Sequence, residues 1–406
     1  MNGIGISVDN TLTNKKSTIW TRNFICTMLA NMMLCLGHFA INPLVVSYAK
    51  SLNASESLTG FLAGMFFGVA LAMRPISGPM ITKMDKRKLL MGVFGLGAIA
   101  NLGYALFPTI PAFVFFRFVN GAQYSFVGSL IMTRVSDSLP PEKMGTGIGV
   151  YGVGGAIGMS LAPSIGNKIV THFGGTELTS SYRPVFLYAM CIMLLALIPC
   201  FISTPDEKTE EKANVGAWYK NIFTMKCLPV AIVMLFLIIA YSAYNNYMVV
   251  FADEMSIQNV SLFFSVLAIA LMVSRPLLGP LMDKIGGRKV MLPMMGLFGV
   301  SFLIVGTAKT LTQLLVAAVV IAIGYGASQP SLQAAALRSV PVAKRGVASN
   351  TIYIGMDLGF FLSPVISAQL KQATGSYGTM YLITGGFVVV AMVILFFLWD
   401  KMKPVV

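Results

Sequence analysis

Twelve apolar runs alternate along the chain with short polar breaks, at approximately 20–48, 57–81, 89–107, 111–137, 144–172, 182–203, 228–252, 258–282, 290–307, 312–338, 346–370 and 379–399. Each approaches or exceeds the roughly 20 residues a helix needs to cross about 30 Å of hydrocarbon. The strict apolar/polar alternation of a membrane barrel is absent, and glycine and proline recur inside the runs, as they do in bundled membrane helices. The pattern predicts an all-α integral membrane protein with twelve spans. A polar stretch precedes the first run, which is too long for a signal-peptide core and has no small-residue cleavage site after it, so span 1 is expected to stay in the mature protein.

Composition agrees with this reading. Of 406 residues, 56% are hydrophobic and 11% charged, with a mean hydropathy of +0.77; a soluble surface needs more charge. The net charge of +14 would suggest nucleic-acid binding in a soluble protein, so the placement of the cations decides. With the N-terminus inside, inner segments hold 21 Lys and Arg. They are Lys15, Lys16, Arg22, Lys83, Lys86, Arg87, Lys88, Arg134, Lys143, Lys208, Lys212, Lys220, Lys226, Lys284, Arg288, Lys289, Arg338, Lys344, Arg345, Lys401 and Lys403. Outer segments hold five, Lys50, Lys168, Arg183, Lys309 and Lys371. This positive-inside bias places both termini in the cytoplasm, identifies the basic charge as topogenic, and removes the argument for nucleic acid. The five cysteines, 26, 35, 191, 200 and 227, fall in or beside apolar spans without CxxC spacing and read as small apolar fillers, not as disulfides or metal ligands.

The segment 204–227, between spans 6 and 7, is the one long charged interruption. It divides the chain into a cytoplasmic tail (1–19), an N-terminal six-helix bundle (20–203), a cytoplasmic linker (204–227), a C-terminal six-helix bundle (228–399) and a second tail (400–406). A shift of 201 residues aligns Arg74 with Arg275, Pro75 with Pro276, Gly78 with Gly279, Pro79 with Pro280, Lys83 with Lys284 and Arg87 with Arg288. The same shift pairs Gly145 with Gly346, Gly154 with Gly355, Gly158 with Gly359 and Pro163 with Pro364. One offset that holds in separate helices indicates an internal duplication, and six-helix repeats keep the same orientation in the membrane.

The loop between spans 2 and 3 of each half resembles the signature of the major facilitator superfamily: a glycine, then Asp-Arg, then a basic cluster. The second copy carries Gly279, Asp283, Lys284, Gly287, Arg288 and Lys289, with Gly287 one place late. The first departs from it, with Thr82 where the acid belongs and Asp85 where glycine would stand. Arg117 and Gly121 in span 4 show the R-x-x-x-G spacing of that superfamily's proton-coupled drug antiporters, and residues 152–166 in span 5 are similar to the same branch's glycine- and proline-rich helix. The resemblance covers the whole chain. It implies two six-helix bundles related by pseudo-two-fold symmetry, an inner latch between them, and a central cavity. The latch would comprise Arg74, Gly78, Lys83, Asp85, Arg87, Arg275, Gly279, Asp283 and Arg288, with Asp85 substituting for the acid lost at Thr82. Physically, the loop cations also suffice as topology anchors facing anionic lipid.

Ionisable residues within the spans carry the chemistry, because a charge there is costly and is by default a functional candidate. Arg74 and Arg275 lie towards the inner ends of their helices, so each needs a partner or must snorkel. Arg117 lies about six residues into span 4, and Asp357 about eleven residues into span 11, or about 16 Å at 1.5 Å per residue. Asp357 is the one acid deep in any span; with Arg117 it is the expected proton-coupling pair. Desolvation disfavours its carboxylate and a nearby cation favours it, a balance that could link proton release to solute binding. Arg117, Asn120 and Tyr124 share one helical face, as do Asn350, Tyr353 and Asp357. Further solute-binding candidates are His38 and Asn42 in span 1, Tyr241, Tyr244, Asn245 and Asn246 in span 7, and Tyr325 and Gln329 in span 10. The Asn-Asn pair invites local unwinding of span 7. His38 could titrate, but a lone membrane histidine is more often a simple hydrogen-bond partner.

Residues 147–152, GIGVYG, match the dinucleotide fingerprint G-x-G-x-x-G but follow no strand; small residues at a helix interface account for them. No Walker loop is present, so no cofactor and no enzymatic activity are expected, and energy should come from an ion gradient. The expected function is proton-coupled export of a small organic molecule by a monomer in a cell membrane, of bacterial inner-membrane type. An uptake symporter or facilitator in the same fold is the alternative, and a non-transporting sensor or scaffold the distant one.

Overall fold

The computed structural model describes residues 18–205, 222–285 and 287–399. The tails, and most of the linker expected at 204–227, lie outside these residues, as do Lys15, Lys16, Lys208, Lys212, Lys220, Lys401 and Lys403. No strand occurs among the described residues. The first bundle comprises α1 (Arg22–Ser51), α2 (Glu56–Lys83), α3 (Lys86–Leu106), α4 (Ile110–Asp137), α5 (Met144–His172) and α6 (Thr179–Ile202). The second comprises α7 (Leu228–Glu254), α8 (Ser261–Ile285), α9 (Gly287–Gly306), α10 (Leu311–Arg338), α11 (Arg345–Thr374) and α12 (Tyr377–Leu398). Eleven of these twelve are long and apolar enough to cross a membrane; the other is α4, which carries Arg117 and a run of polar residues.

Five helix starts carry capping side chains, which satisfy amides that have no partner within the helix. Thr21, Ser55, Asp85 and Ser376 each accept a hydrogen bond from the backbone N–H three residues on. Thr310 and Gln313 form a reciprocal capping box at the start of α10. α1 tightens into a 3-10 turn at Asn42–Leu44, where Pro43 removes a donor. By contrast α7 runs unbroken through Asn245 and Asn246, so the expected unwinding does not occur. The Asn246 amide instead donates to Ser242 Oγ one turn back, at 3.0 Å, which keeps its demand for partners local.

Glycine sets the closest helix pairs. A side chain at Gly158 would meet the Met32 carbonyl at 2.9 Å, and one at Gly359, 201 residues on, the Leu235 carbonyl at 2.9 Å. The α1–α5 and α7–α11 contacts are therefore built alike. The two bundles meet along α2–α11 and α5–α8. Large apolar side chains such as Phe61, Phe115, Leu277 and Phe397 are exposed, an arrangement suited to lipid and not to water.

Candidate functional site

At the centre, α2 and α11 are joined by a buried ion pair. Arg74 Nε donates to Asp357 Oδ2 at 2.8 Å and Nη2 lies 2.7 Å from the same oxygen. Arg74 Nη1 donates to the Ser125 carbonyl at 2.6 Å and also to Ser129 Oγ, both on α4. The guanidinium stands over the Tyr353 ring, 4.9 Å from its centre. Arg74 and Asp357 are 0% and 1% exposed, so neither charge is hydrated. Leaving one without the other would cost several kcal/mol, about 3–5. The partner of the deep acid is thus Arg74, a residue the loop signature had grouped with the latch, and not Arg117.

Arg117 belongs to a separate group inside the first bundle. Its Nε donates to the Leu62 carbonyl and its Nη2 to Asn42 Oδ1, both at 3.2 Å, and its guanidinium lies 4.9 Å from the Phe66 ring centre. His38 lies beside Phe66 and stacks on Tyr124, with ring centres 5.4 Å apart, and its Nε2 is buried without a hydrogen-bond partner. The space enclosed by His38, Asn42, Phe66, Phe67 and Tyr124 is only about 10 Å³, so a solute enters this group only when the rings part. In the second bundle Tyr241 stacks on Tyr325 with centres 3.9 Å apart and planes 7° from parallel. Arg275 lies between the bundles, donating from Nη1 to the Gly152 carbonyl at 2.6 Å and from Nη2 to Gln329 Oε1 at 3.2 Å.

Several expected solute contacts are engaged elsewhere. Tyr244 is fully buried within the second bundle, its hydroxyl 3.0 Å from Ser301 Oγ and its ring stacked against Phe302 and Tyr381; it packs α7 on α9 and α12 and faces no cavity. The Asn350 amide is spent on structure. Nδ2 donates to the Arg74 and Ile222 carbonyls, and Oδ1 accepts from Ser77. Asn120 is buried in α4, while Asn245 and Asn246 are exposed on α7.

The end of the molecule rich in Lys and Arg, here the basic face, carries the tie between bundles. Asp283 on α8 accepts from Gly145 N at 2.9 Å and from Thr146 N and Thr146 Oγ1 at 2.7 Å, so a C-terminal-half carboxylate caps the start of α5 in the N-terminal half. A carboxylate there also meets the positive end of the helix dipole. Arg338 supports Asp283 from α10. The backbones can approach because Gly279 and Gly145 face each other: a side chain on Gly279 would meet the Gly145 carbonyl at 2.8 Å.

The mirror site works differently. Thr82 only bonds back to Gly78, at 3.0 Å. Asp85 caps its own helix, accepting from Lys88 N at 2.9 Å, so it does not replace the missing acid across the interface. That part falls to Asp137 at the end of α4, which pairs with Lys86 and lies 3.7 Å from Arg345 Nη1. Arg345, at the start of α11, also donates to the Ser136 carbonyl at 2.6 Å. Position 137 is the counterpart of 338 under the 201-residue shift, so the position that holds an acid in the first half holds a base in the second. Arg87 and Arg288 hold carbonyls at the ends of α6 and α12 inside their own bundles, and Lys83 is exposed; none of the three ties the bundles. Among the described residues, the hydrogen bonds and ion pairs between bundles all lie between the level of Asp357 and the basic face.

Two six-helix repeats, tied to each other at one end and joined by a buried ion pair, have the architecture of a secondary membrane transporter. The profile of the Major Facilitator Superfamily matches residues 27–258 and again 230–405, and the chain belongs to that family of membrane transporters. It is 24% identical over 380 residues to the multi-drug resistance efflux pump PmrA of Streptococcus pneumoniae serotype 4, covering 89% of this chain and 92% of that one. To the multidrug resistance protein MdtG of Rahnella it is 25% identical over 407 residues, with 93% and 92% covered. Its fold superposes on the major facilitator transporter FucP in the outward conformation with a TM-score of 0.76 at 13% identity, spanning 92% of this chain and 98% of that one.

Proposed function

We propose that this chain exports a small organic solute in exchange for protons, with the Arg74–Asp357 pair as the coupling element. The observation that carries the reading is the placement of the one deep acid: it is both the titratable group and a tie between α2 and α11. A proton on Asp357 removes the charge that holds Arg74, so the tie weakens and the bundles can rock apart at the basic face. Return of the carboxylate restores the tie and closes that face again. Solute and proton then favour opposite states without needing to touch, which is a difference in affinity between two conformations.

The basic face is the cytoplasmic one in this account, following the distribution of Lys and Arg. In the conformation described here, ties on that face leave the cavity to open on the other side. The similarity to PmrA, a multi-drug resistance efflux pump, and to the multidrug resistance protein MdtG supports export over uptake. The membrane is a bacterial cell membrane, and one chain is the working unit.

Everted membrane vesicles test this. With labelled organic anions, cations and neutral compounds outside and a proton gradient acid inside, vesicles containing the protein should accumulate at least one compound, and a protonophore should abolish the accumulation. Loss of a preloaded compound under the same gradient would establish uptake in the cell instead.

A further inference from the structure

The two halves treat their paired arginines differently. Arg74 and Arg275 occupy equivalent positions 201 residues apart, and so do the helices they reach, α11 for the first and α5 for the second. Arg74 lies over Tyr353 and bonds Asp357, one turn further along α11. The counterpart of Tyr353 is Gly152, and Arg275 reaches it: Nη1 bonds the Gly152 carbonyl, and a side chain at Gly152 would lie 2.9 Å from that nitrogen. The counterpart of Asp357 is Ala156, one turn further along α5. The second arginine therefore has its cradle but not its acid.

What Arg275 does have is neutral. Its Nη atoms meet a carbonyl and the Gln329 amide oxygen, and its Nε is buried with no hydrogen-bond partner. Gln329 lies one turn along α10 from Tyr325, whose ring stacks on Tyr241. Away from the helix ends, the described spans carry three arginines, Arg74, Arg117 and Arg275, against one acid, Asp357. Arg117 is sealed inside the first bundle at 2% exposure, whereas Arg275 is half-buried on the interface between bundles. A guanidinium in that position is costly without a counter-charge, and its planar fork is shaped for an oxyanion.

We infer that the transported solute supplies the missing acid: it is an organic anion whose carboxylate or equivalent oxyanion pairs with Arg275 in the place that Ala156 leaves open, with its apolar or aromatic part against Tyr241 and Tyr325. The inference rests on the transport reading above and gives that site its substrate class. It also explains why the repeats differ at this one pair. The half whose arginine holds Asp357 handles the proton, and the half whose arginine lacks an acid handles the cargo.

Three probes sharing one ring system, 2-naphthoate, 2-naphthamide and 2-naphthylmethylammonium, test it on the purified full chain by thermal stabilisation at neutral pH. Naphthoate should stabilise the protein and the other two should not. In Arg275→Gln the naphthoate affinity should fall roughly 10- to 100-fold, the range for a lost hydrogen-bonded charge, while Arg275→Lys keeps part of it. Ala156→Asp gives the arginine an acid of its own and should weaken naphthoate at least tenfold even if Arg275→Gln folds poorly, since it removes no native group. Equal or better stabilisation by the amide or the ammonium, no stabilisation by naphthoate, or naphthoate affinity within threefold of wild type in Arg275→Gln and in Ala156→Asp would overturn the inference. Proton-driven accumulation of the ammonium, but not of naphthoate, in everted vesicles would also overturn it while leaving proton-coupled export standing.

Discussion

Replacing Asp283 with alanine should open the basic face. The carboxylate accepts three hydrogen bonds across the interface, two from backbone amides and one from a hydroxyl, and hydrogen bonds to a charged group contribute about 1.5–3 kcal/mol each, net of their exchange with water and not additively. Water can reach the start of α5 once the side chain is gone, so a net cost to the closed state on the order of 3 kcal/mol is reasonable, in line with the loss of a charged N-cap plus part of its ion pair with Arg338. That corresponds to roughly a 150-fold change in the ratio of open to closed states. Ser349 reports on it, because it is 0% exposed and bonded to Thr133 of the other bundle at 3.1 Å. In a protein whose five cysteines are replaced, the rate at which Ser349→Cys reacts with a soluble maleimide follows the open population. Asp283→Ala should raise that rate tenfold or more, and Asp283→Asn, which keeps the shape and loses the charge, by less. A change below threefold, in a variant of unaltered thermal stability, would refute the assignment of Asp283 as the tie.

Arg74→Gln should destabilise the protein by about 3–5 kcal/mol by leaving Asp357 buried alone, whereas Arg74→Gln combined with Asp357→Asn should recover most of that; thermal or denaturant unfolding in detergent reads the cycle. Tyr244→Phe should lose about 1 kcal/mol of stability with its bond to Ser301 and leave the transport KM unchanged, since the ring faces the interior of the second bundle. Gly279→Val should speed labelling at Ser349→Cys as Asp283→Ala does, because its side chain meets the Gly145 carbonyl at 2.8 Å from the first carbon onward.

The twelve spans, the duplication and the need for Arg74 to have a partner were legible in the sequence because each follows from length, spacing or the cost of a buried charge. Which partner Arg74 takes was not, since Asp357 lies 283 residues away and no periodicity on either helix reports the crossing of two bundles. The role of Asp137 was hidden for a related reason. The 201-residue shift does set it opposite Arg338, but only the fold reveals that positions 82 and 283 share their neighbourhoods with 137 and 345, and with 338 and 146. A span's polar residues likewise do not disclose their direction: Tyr241 and Tyr244 are three apart, yet one stacks on Tyr325 and the other is enclosed by Phe302 and Tyr381. Asp85 misled because its capping role is local, and capping and latching ask for the same residue type.

In the proposed cycle the buried pair gives an arginine so far from water a use. A neutral α2–α11 contact would hold the bundles together equally well, but it would not respond to a proton. The pair can be broken by one, and its energetic weight is comparable to the few kcal/mol that separate two states of a transporter.

The most direct test of that claim is transport by Asp357→Asn in proteoliposomes, using a labelled solute that the wild-type protein accumulates in everted vesicles. The account predicts that the variant no longer accumulates the solute in liposomes whose lumen is made acidic, a gradient that drives accumulation by the wild type, yet still exchanges labelled for unlabelled solute at equilibrium. Accumulation by the variant at the wild-type level, with the same dependence on the proton gradient, would contradict it.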